Sequence, residues 1–227
     1  MTFRIINQDF FTNTLESNSF DLIITDPPYK SFGNKLDGDL LNVTTMTKEF
    51  LRILKPDGQM IICCNFKLLT DLIYEFKNVN IPLQHLIVWD KRPTQAWISW
   101  GYPLRHVEYI LFAGWGKLNF RTGKIKDPVK RSSFGGKLKT TYPNKNEVSY
   151  EMFNEIWAIK SVPSKKRIHP TQKPEQISER CKLICRDMNL KKIIDPFAGS
   201  GSLLSAFNKE PDLFDQILGF EINKEFI

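Results

Sequence analysis

The chain has 227 residues, 41% of them hydrophobic, which allows one sizeable core and favours a single domain with an insertion. Its 32 Lys and Arg outnumber 25 Asp and Glu, and the net charge of +7 favours a polyanionic partner without identifying it. No run approaches the roughly 20 apolar residues that span a bilayer, and residues 1–10 lack the apolar stretch of a signal peptide. We therefore expect a cytoplasmic protein.

The predicted elements alternate along the chain, which is typical of an α/β protein with a mostly parallel sheet. Apolar runs predict strands at 3–6, 20–25, 59–64, 83–89, 107–112, 192–194 and 217–221. Helical periodicity predicts helices at 43–54, 67–77 and 202–208, and a further helix that opens near Pro174, whose fixed φ suits a first helical position. A turn at 55–58 should separate the first helix from the strand that follows.

The four cysteines predict packing rather than chemistry. Cys63 and Cys64 are neighbours in an apolar run, and Cys181 and Cys185 have helical i,i+4 spacing. Neither pair suits a disulfide framework, and a zinc site would require two Cys-x-x-Cys-like pairs or suitably spaced histidines. We therefore expect no metal site.

A proline-rich tetrapeptide, Asp26-Pro27-Pro28-Tyr29, directly follows the predicted strand at 20–25. Two prolines cannot continue a strand, so they predict a rigid loop at its carboxyl end, where open α/β sheets bind ligands. The Asp26 carboxylate and the Pro27 carbonyl can accept hydrogen bonds from both N–H groups of an exocyclic amine, whose lone pair is otherwise delocalised into its ring. Tyr29 can stack on that ring once the base has left the duplex. The alternative is a strand-ending turn with a capping aspartate.

A second segment joins the predicted strand at 192–194 to a tight glycine turn and a helix start, where backbone approaches a bound nucleoside. Its residues are Asp195, Pro196, Phe197, Ala198, Gly199, Ser200 and Gly201. Leu204 occupies the third glycine position of a dinucleotide fingerprint, which argues against nicotinamide and flavin dinucleotides. Glu221 ends the next predicted strand, where a carboxylate can accept hydrogen bonds from both ribose hydroxyls. The two features predict a single-nucleoside cofactor.

With both segments in this order, the chain resembles the β group of DNA amino-methyltransferases, which methylate N6 of adenine or N4 of cytosine with S-adenosyl-L-methionine. In that group the catalytic tetrapeptide precedes the cofactor glycines, and a basic target-recognition region lies between them. Enzymes that methylate protein glutamine or ribosomal RNA at a similar tetrapeptide usually place the glycines first. The resemblance implies a doubly wound, Rossmann-like α/β domain over residues 1–227, with a mostly parallel seven-stranded sheet and an inserted recognition region at about 114–168.

The resemblance also implies further site residues. Residues 5–9 resemble the strand whose terminal acid, here Asp9, contacts the cofactor adenine, and residues 169–174 resemble the segment that encloses the cofactor, with Lys173 at its methionine carboxylate. We interpret His106 and Glu108, which match another family segment, as structural. The predicted cofactor-binding residues are Asp9, Asp26, His169, Thr171, Lys173, Asp195, Pro196, Phe197, Gly199, Ser200, Gly201, Glu221 and Ile222.

Residues 114–146 break the predicted periodicity and hold nine Lys or Arg against one acid, Asp127. Such a run can be a solvated basic loop, but beside a base-modifying site it predicts contact with the phosphates of double-stranded DNA. We assign this contact to Lys124, Lys126, Lys130 and Arg131.

These observations predict a site-specific DNA methyltransferase that acts on N6 of adenine by base flipping. Cytosine N4 is the alternative target, although family members of that specificity more often carry Ser at the position of Asp26. A catalytically silent DNA-binding protein would show decay of one motif, and both are intact here. A further alternative is an RNA methyltransferase, and competition between DNA and RNA substrates would distinguish it from a DNA methyltransferase. The resemblance leaves open a homodimer and a cognate restriction endonuclease that acts separately.

Overall fold

An eight-stranded sheet and four helices organise the described part of the chain, which in this computed structural model comprises residues 2–28, 41–91, 106–120 and 155–227. The strands are β1 (Thr2–Asn7), β2 (Phe20–Thr25), β3 (Leu54–Cys64), β4 (Leu83–Asp90), β5 (Val107–Gly114), β6 (Ile156–Ala158), β7 (Lys192–Asp195) and β8 (Gln216–Glu221). The α-helices are α1 (Val43–Ile53), α2 (Phe66–Asn78), α3 (Glu175–Ile184) and α4 (Ser205–Asn208). Short 3-10 turns span Phe10–Thr12, Ser164–Lys166, Pro211–Leu213 and Lys224–Phe226.

The order of strands in the sheet is β1-β8-β7-β2-β3-β5-β4-β6. Neighbouring strands are parallel except where β5 meets β3 and β4. The carboxyl ends of the other seven strands therefore lie at one edge of the sheet, together with the amino end of β5. This arrangement confirms the predicted α/β fold with a mostly parallel sheet.

Helices cover both faces of the sheet, so that the fold is doubly wound as predicted. Phe50 of α1 and Phe76 of α2 belong to the core on one face, and Ile177 of α3 and Phe207 of α4 belong to the core on the other. All four cysteines are buried and free, which confirms that they serve packing. In the described ranges, no group of three or more His, Cys, Asp or Glu is arranged to hold a metal ion, and no helix has the length and apolar content needed to cross a membrane.

The sheet has one strand more than the seven that we predicted. The additional strand, β6, lies within the predicted recognition region and pairs with β4. There Trp157 is fully buried and Trp89 Nε1 donates a hydrogen bond to Ile159 O at 2.7 Å, which explains why this short segment joins the sheet. At the amino-terminal flank of this region, Phe120 packs on Phe112 with ring centroids 5.6 Å apart. Both described flanks of the predicted insertion therefore pack against the central sheet.

Three element boundaries differ from the prediction for local reasons. β3 begins directly after α1, because the predicted turn at 55–58 is accommodated as an irregularity in its pairing with β2. Pro174 is the N-cap of α3 rather than its first helical residue. α4 begins only at Ser205, since the preceding residues form turns in which Gly201 has a φ of +73°.

Candidate active site

A cavity of about 860 Å³ opens at the carboxyl edge of the sheet, a volume within the usual range of small-molecule sites. Among the described residues that we predicted for catalysis or cofactor binding, all except Gly201 line it: Asp9, Asp26, Pro27, Pro28, His169, Thr171, Lys173, Asp195, Pro196, Phe197, Gly199, Ser200, Glu221 and Ile222. Tyr29 and the predicted DNA contacts Lys124, Lys126, Lys130 and Arg131 lie outside the described residues.

Asp195 ends β7 and fixes the start of the glycine turn. Its Oδ1 accepts hydrogen bonds from Thr25 Oγ1 at 2.7 Å and from Phe197 N at 3.0 Å. Burial raises the pKa of Asp195 to about 7, although these two hydrogen bonds lower it. The side chain therefore ties the turn to the neighbouring strand β2 from inside the protein.

Backbone conformation favours glycine at both glycine positions of the turn. Gly199 has a φ of +49°, and a Cβ there would lie 3.2 Å from the ring of His169. Gly201 has a φ of +73°, and its Cβ would lie 2.9 Å from Ile5 Cδ1. Most residues with a Cβ are strained in this left-handed region, whereas glycine is not. Gly201 therefore shapes the turn although it does not line the cavity.

Glu221 is held from two sides at the end of β8. Its Oε2 accepts a hydrogen bond from Gly199 N, and its Oε1 accepts one from Asn223 N, both at 2.8 Å. Asn7 Nδ2 donates to the backbone oxygens of Glu221 and Ile222 at 2.9 and 3.0 Å, which fixes the chain around the acid. Because each carboxylate oxygen has two acceptor sites, Glu221 retains capacity for the hydroxyls of a ligand.

Two further polar groups on this side of the cavity fit a nucleoside. Ser200 Oγ is buried and has no hydrogen-bond partner among the described residues. Buried hydroxyl groups normally have a partner, so this one fits a polar ligand in the cavity. Asp9 contributes a carboxylate whose Oδ1 accepts from Phe11 N at 2.9 Å. The donor and acceptor set therefore suits a single-nucleoside cofactor.

The predicted enclosing segment packs over the glycine turn. His169 lies edge-on against Phe226, with ring centroids 4.1 Å apart, and its ring is next to Gly199. Its Nδ1 lies 3.1 Å from Thr171 Oγ1. Burial lowers the pKa of His169, which favours the neutral imidazole. The segment thus forms a largely uncharged wall of the cavity at this point.

Asp26, directly after β2, belongs to a chain of alternating charges. Its carboxylate forms an ion pair with Lys173, which is only 4% exposed. Lys173 Nζ also lies 3.4 Å from Glu108 Oε2, and Lys91 Nζ lies 3.0 Å from Glu108 Oε1. All four side chains belong to residues that line the cavity, and we call them the ion-pair cluster.

Glu108 is ionised within this cluster. Burial opposes its ionisation, but the charges of Lys173 and Lys91 outweigh burial, so that the pKa of Glu108 is lowered. In this structure Lys173 contacts protein carboxylates, and its contact with the methionine carboxylate of a cofactor stays a prediction.

Glu108, Lys91 and Trp89 are site residues that sequence reasoning missed. The family resemblance predicted a structural role for Glu108. β5, however, runs antiparallel to its neighbours, so its beginning lies at the same edge as the ends of β2 and β4. Trp89 places its ring 5.9 Å from Lys173 Nζ. Trp89 and Lys91 lie at the carboxyl end of a predicted strand, which was an available signal, whereas Glu108 could be identified only from the direction of β5, which an apolar run does not encode. His106 is exposed.

The comparison with known families assigns the chain to the DNA methyltransferases. A family model described as DNA methylase matches residues 20–227, and the chain belongs to this N6/N4 DNA methylase family. The match confirms the resemblance to the DNA amino-methyltransferases.

Individual relatives agree with this assignment. The type II methyltransferase M.HpaI of Haemophilus parainfluenzae is 30% identical over 236 residues, which cover 94% of this chain and 67% of M.HpaI. The solved M1.HpyAVI–SAM complex has a TM-score of 0.63 at 21% identity, and the match covers 98% of this chain and 95% of that one. The PvuII DNA methyltransferase, which is cytosine-N4-specific, has a TM-score of 0.68 at 16% identity, with 98% and 82% covered. At these identities the two solved structures show a common fold.

Proposed function

We propose that this chain transfers a methyl group from S-adenosyl-L-methionine to N6 of adenine in double-stranded DNA. One observation carries the proposal: the Asp26-Pro27 loop and the glycine turn with Glu221 open onto the same cavity of about 860 Å³. A base swung out of the duplex against the loop and a nucleoside cofactor against the turn would meet there.

S-adenosylmethionine would supply an electrophilic methyl group on a positively charged sulfur. In this proposal Glu221 accepts hydrogen bonds from the ribose hydroxyls and Asp9 accepts from the adenine amine of the cofactor. Ser200 Oγ, which has no partner among the described residues, bonds to a polar atom of the same molecule. His169 and Thr171 enclose it. The orphaned hydroxyl supports this assignment, as does the binding of SAM by the structural relative M1.HpyAVI.

Asp26 and the Pro27 carbonyl oxygen accept hydrogen bonds from the target amino group in this mechanism. These contacts aim the nitrogen lone pair at the methyl group and stabilise the positive charge that the nitrogen gains as the new N–C bond forms and the C–S bond breaks. The methylated nitrogen then loses one proton, which Asp26 is placed to accept. Tyr29 is proposed to stack on the extruded base.

Asp26 also supports adenine over cytosine as the target. Family members that methylate N4 of cytosine more often carry Ser at this position, whereas this chain has Asp. The fold does not separate the two activities, since the cytosine-N4-specific PvuII enzyme shares it. The target base therefore has to be identified from the product.

The test is a methylation assay with unmethylated genomic DNA and labelled S-adenosylmethionine. The DNA is digested to nucleosides afterwards, and the methylated nucleoside is identified by mass spectrometry. N6-methyladenine is expected, and sequencing of the methylated DNA would give the sequence context. N4-methylcytosine would overturn the assignment of the base.

A second arm of this experiment tests the cofactor. Calorimetry with S-adenosylhomocysteine, the demethylated product, should show binding to the purified protein. Absence of both binding and transfer would overturn the proposed function. An RNA competitor at equal nucleotide concentration should leave DNA methylation largely unaffected.

A further inference from the structure

We infer that Glu108 is a positioning residue for the proposed methyl transfer, which acts on Asp26 through Lys173. The inference rests on the proposed function. Its basis is the ion-pair cluster, in which one buried ammonium group lies within ion-pair distance of two carboxylates that come from different segments of the chain. Asp26 follows β2, whereas Glu108 belongs to β5, on the other side of β3.

The position of Lys173 limits where its charge can act. The residue is 4% exposed and its Nζ lies near the ring of Trp89, at 5.9 Å from the centroid, so that solvent screens it weakly. A lysine that served Asp26 alone would neutralise the carboxylate and weaken it as an acceptor for the target amine. Because Lys173 also faces Glu108 at 3.4 Å, its charge is shared between two acids.

Lys91 completes the charge balance. It binds the other oxygen of Glu108 at 3.0 Å, so that the cluster contains two acids and two bases and has no net charge. During transfer the positive charge moves from the sulfur toward the target nitrogen beside Asp26. Without the charge of Glu108, the cluster would become cationic and would oppose this movement. Glu108 thereby keeps the Asp26 carboxylate in position. It also preserves the negative charge with which that carboxylate accepts hydrogen bonds from the target amine.

Glu108→Gln is the decisive variant, because it keeps the shape and one acceptor while removing the charge. Its single-turnover rate of methyl transfer should fall by about tenfold, less than for a group that contacts the reacting atoms directly, whose loss costs about 100- to 1000-fold. Affinity for S-adenosylhomocysteine and the midpoint of thermal unfolding should stay near those of the wild type. Glu108→Asp restores the charge and should recover most of the rate.

Glu49→Gln provides the matched control. Glu49 is also ion-paired, to Arg52 at 2.6 Å, and its side chain is 21% exposed compared with 17% for Glu108. It lies on α1 and does not line the cavity. This variant should transfer methyl groups at the wild-type rate.

A double-mutant cycle separates positioning from a merely structural role. In an Asp26→Asn background, Glu108→Gln should have little further effect, because the carboxylate through which it acts has been removed. An equal loss of rate in both backgrounds, or a wild-type rate for Glu108→Gln alone, would overturn the inference. A failure of Glu108→Asp to recover the rate would also contradict it. No transfer by the wild-type chain would instead refute the proposed function itself, and transfer to cytosine would leave the inference intact.

Discussion

The two sides of the cavity hold their carboxylates by different means. On the cofactor side, Asp195 and Glu221 accept hydrogen bonds from backbone N–H groups of the glycine turn. On the target side, the ammonium group of Lys173 forms ion pairs with Asp26 and Glu108, and Glu108 also accepts a hydrogen bond from Lys91. The first arrangement uses dipoles that belong to the fold, whereas the second uses a charge that two acids share.

This difference determines whether the effect of substituting one acid should extend to the other acid on the same side of the cavity. The backbone donors are in place because β7 and β8 are adjacent parallel strands whose ends bring the turn beside Glu221. They carry no net charge, so the loss of one acid affects the other only through its own charge, as Glu221 does when it contributes to the raised pKa of Asp195. In the ion-pair cluster, by contrast, the loss of one acid changes the electrostatic surroundings of the other. We therefore expect local effects on the cofactor side and coupled effects on the target side.

The largest effect should follow substitution of Asp26, at the reacting end of the cluster. Asp26→Ala and Asp26→Asn should each slow single-turnover methyl transfer by at least about a hundredfold, because the carboxylate interacts most strongly when the target nitrogen gains charge. Binding of S-adenosylhomocysteine and most DNA affinity should persist, since other groups supply them. Asp26→Asn is the more discriminating variant, because it keeps the shape and one acceptor.

Asp21→Asn is the matched control for this prediction. Asp21 lies at the start of β2, at the opposite edge of the sheet, and pairs with Lys55 at 2.6 Å. Its side chain is 13% exposed, as is that of Asp26. The control should transfer methyl groups at a near-normal rate. Near-normal transfer by both Asp26 variants would show that Asp26 only caps the strand and has no role in the methyl transfer.

The next effect concerns stability and pH on the cofactor side. Burial raises the pKa of Asp195 from 3.8 to about 7, so the folded state retains a proton that the unfolded state has released. The stability of the wild type should therefore fall as pH rises from about 4 to 7 and then level off. At about 1.4 kcal/mol per pKa unit, the loss of folding stability over this range is at most a few kcal/mol.

Asp195→Asn isolates this contribution, because its Oδ1 can still accept from Thr25 and Phe197 but does not titrate. Urea unfolding of both proteins across this pH range gives the difference in the free energy of unfolding. The wild type should lose stability relative to the variant toward pH 7. If the free energies of unfolding of the two proteins differ by the same amount at every pH, Asp195 is ionised in the folded protein throughout this range.

Glu221→Ala should produce a smaller and strictly local loss. Affinity for S-adenosylhomocysteine, measured by calorimetry, should fall by about 1–3 kcal/mol, the usual cost of losing charge-assisted hydrogen bonds. Glu225→Ala removes an exposed acid that does not line the cavity and should bind normally. Equal affinity of the wild type and Glu221→Ala would show that Glu221 does not bind the cofactor.

The cofactor side was the more predictable half, because its signals are local in sequence. The string from Asp195 to Gly201 contains the strand end and two glycines with positive φ, and Glu221 follows at the end of the next strand. The Asp26 loop was predictable for the same reason, since two prolines must end a strand. Motifs of this kind encode backbone conformation directly.

The target side was less predictable, because its partners meet only through topology. Lys173 and Asp26 are distant in sequence, and no pattern pairs them before the sheet is assembled. Glu108 required the direction of β5, and the three-residue strand β6 is too short to show periodicity. The resemblance did identify Lys173, but as a cofactor contact rather than as the centre of an ion-pair cluster.

The smallest expected effect concerns the basic rim beside the cavity. Lys165 and Lys166 are exposed in the 3-10 turn Ser164–Lys166. Arg167, which lines the cavity, fixes that turn by donating to Val162 O at 2.6 Å and to Pro170 O at 3.0 Å. We expect the two lysines to meet DNA phosphates together with the predicted contacts Lys124, Lys126, Lys130 and Arg131.

Replacing both rim lysines by alanine should weaken DNA binding only modestly at low salt, because many phosphate contacts share the affinity. The slope of log affinity against log salt should decrease by about two, roughly one for each lost phosphate contact. The four predicted contacts, replaced together, should reduce the slope further. Lys77 and Lys191 are the matched control pair, since they are exposed at the end of α2 and before β7, away from the cavity. A similar change in slope for this pair would mean that net charge, and not a rim that faces DNA, governs the salt dependence.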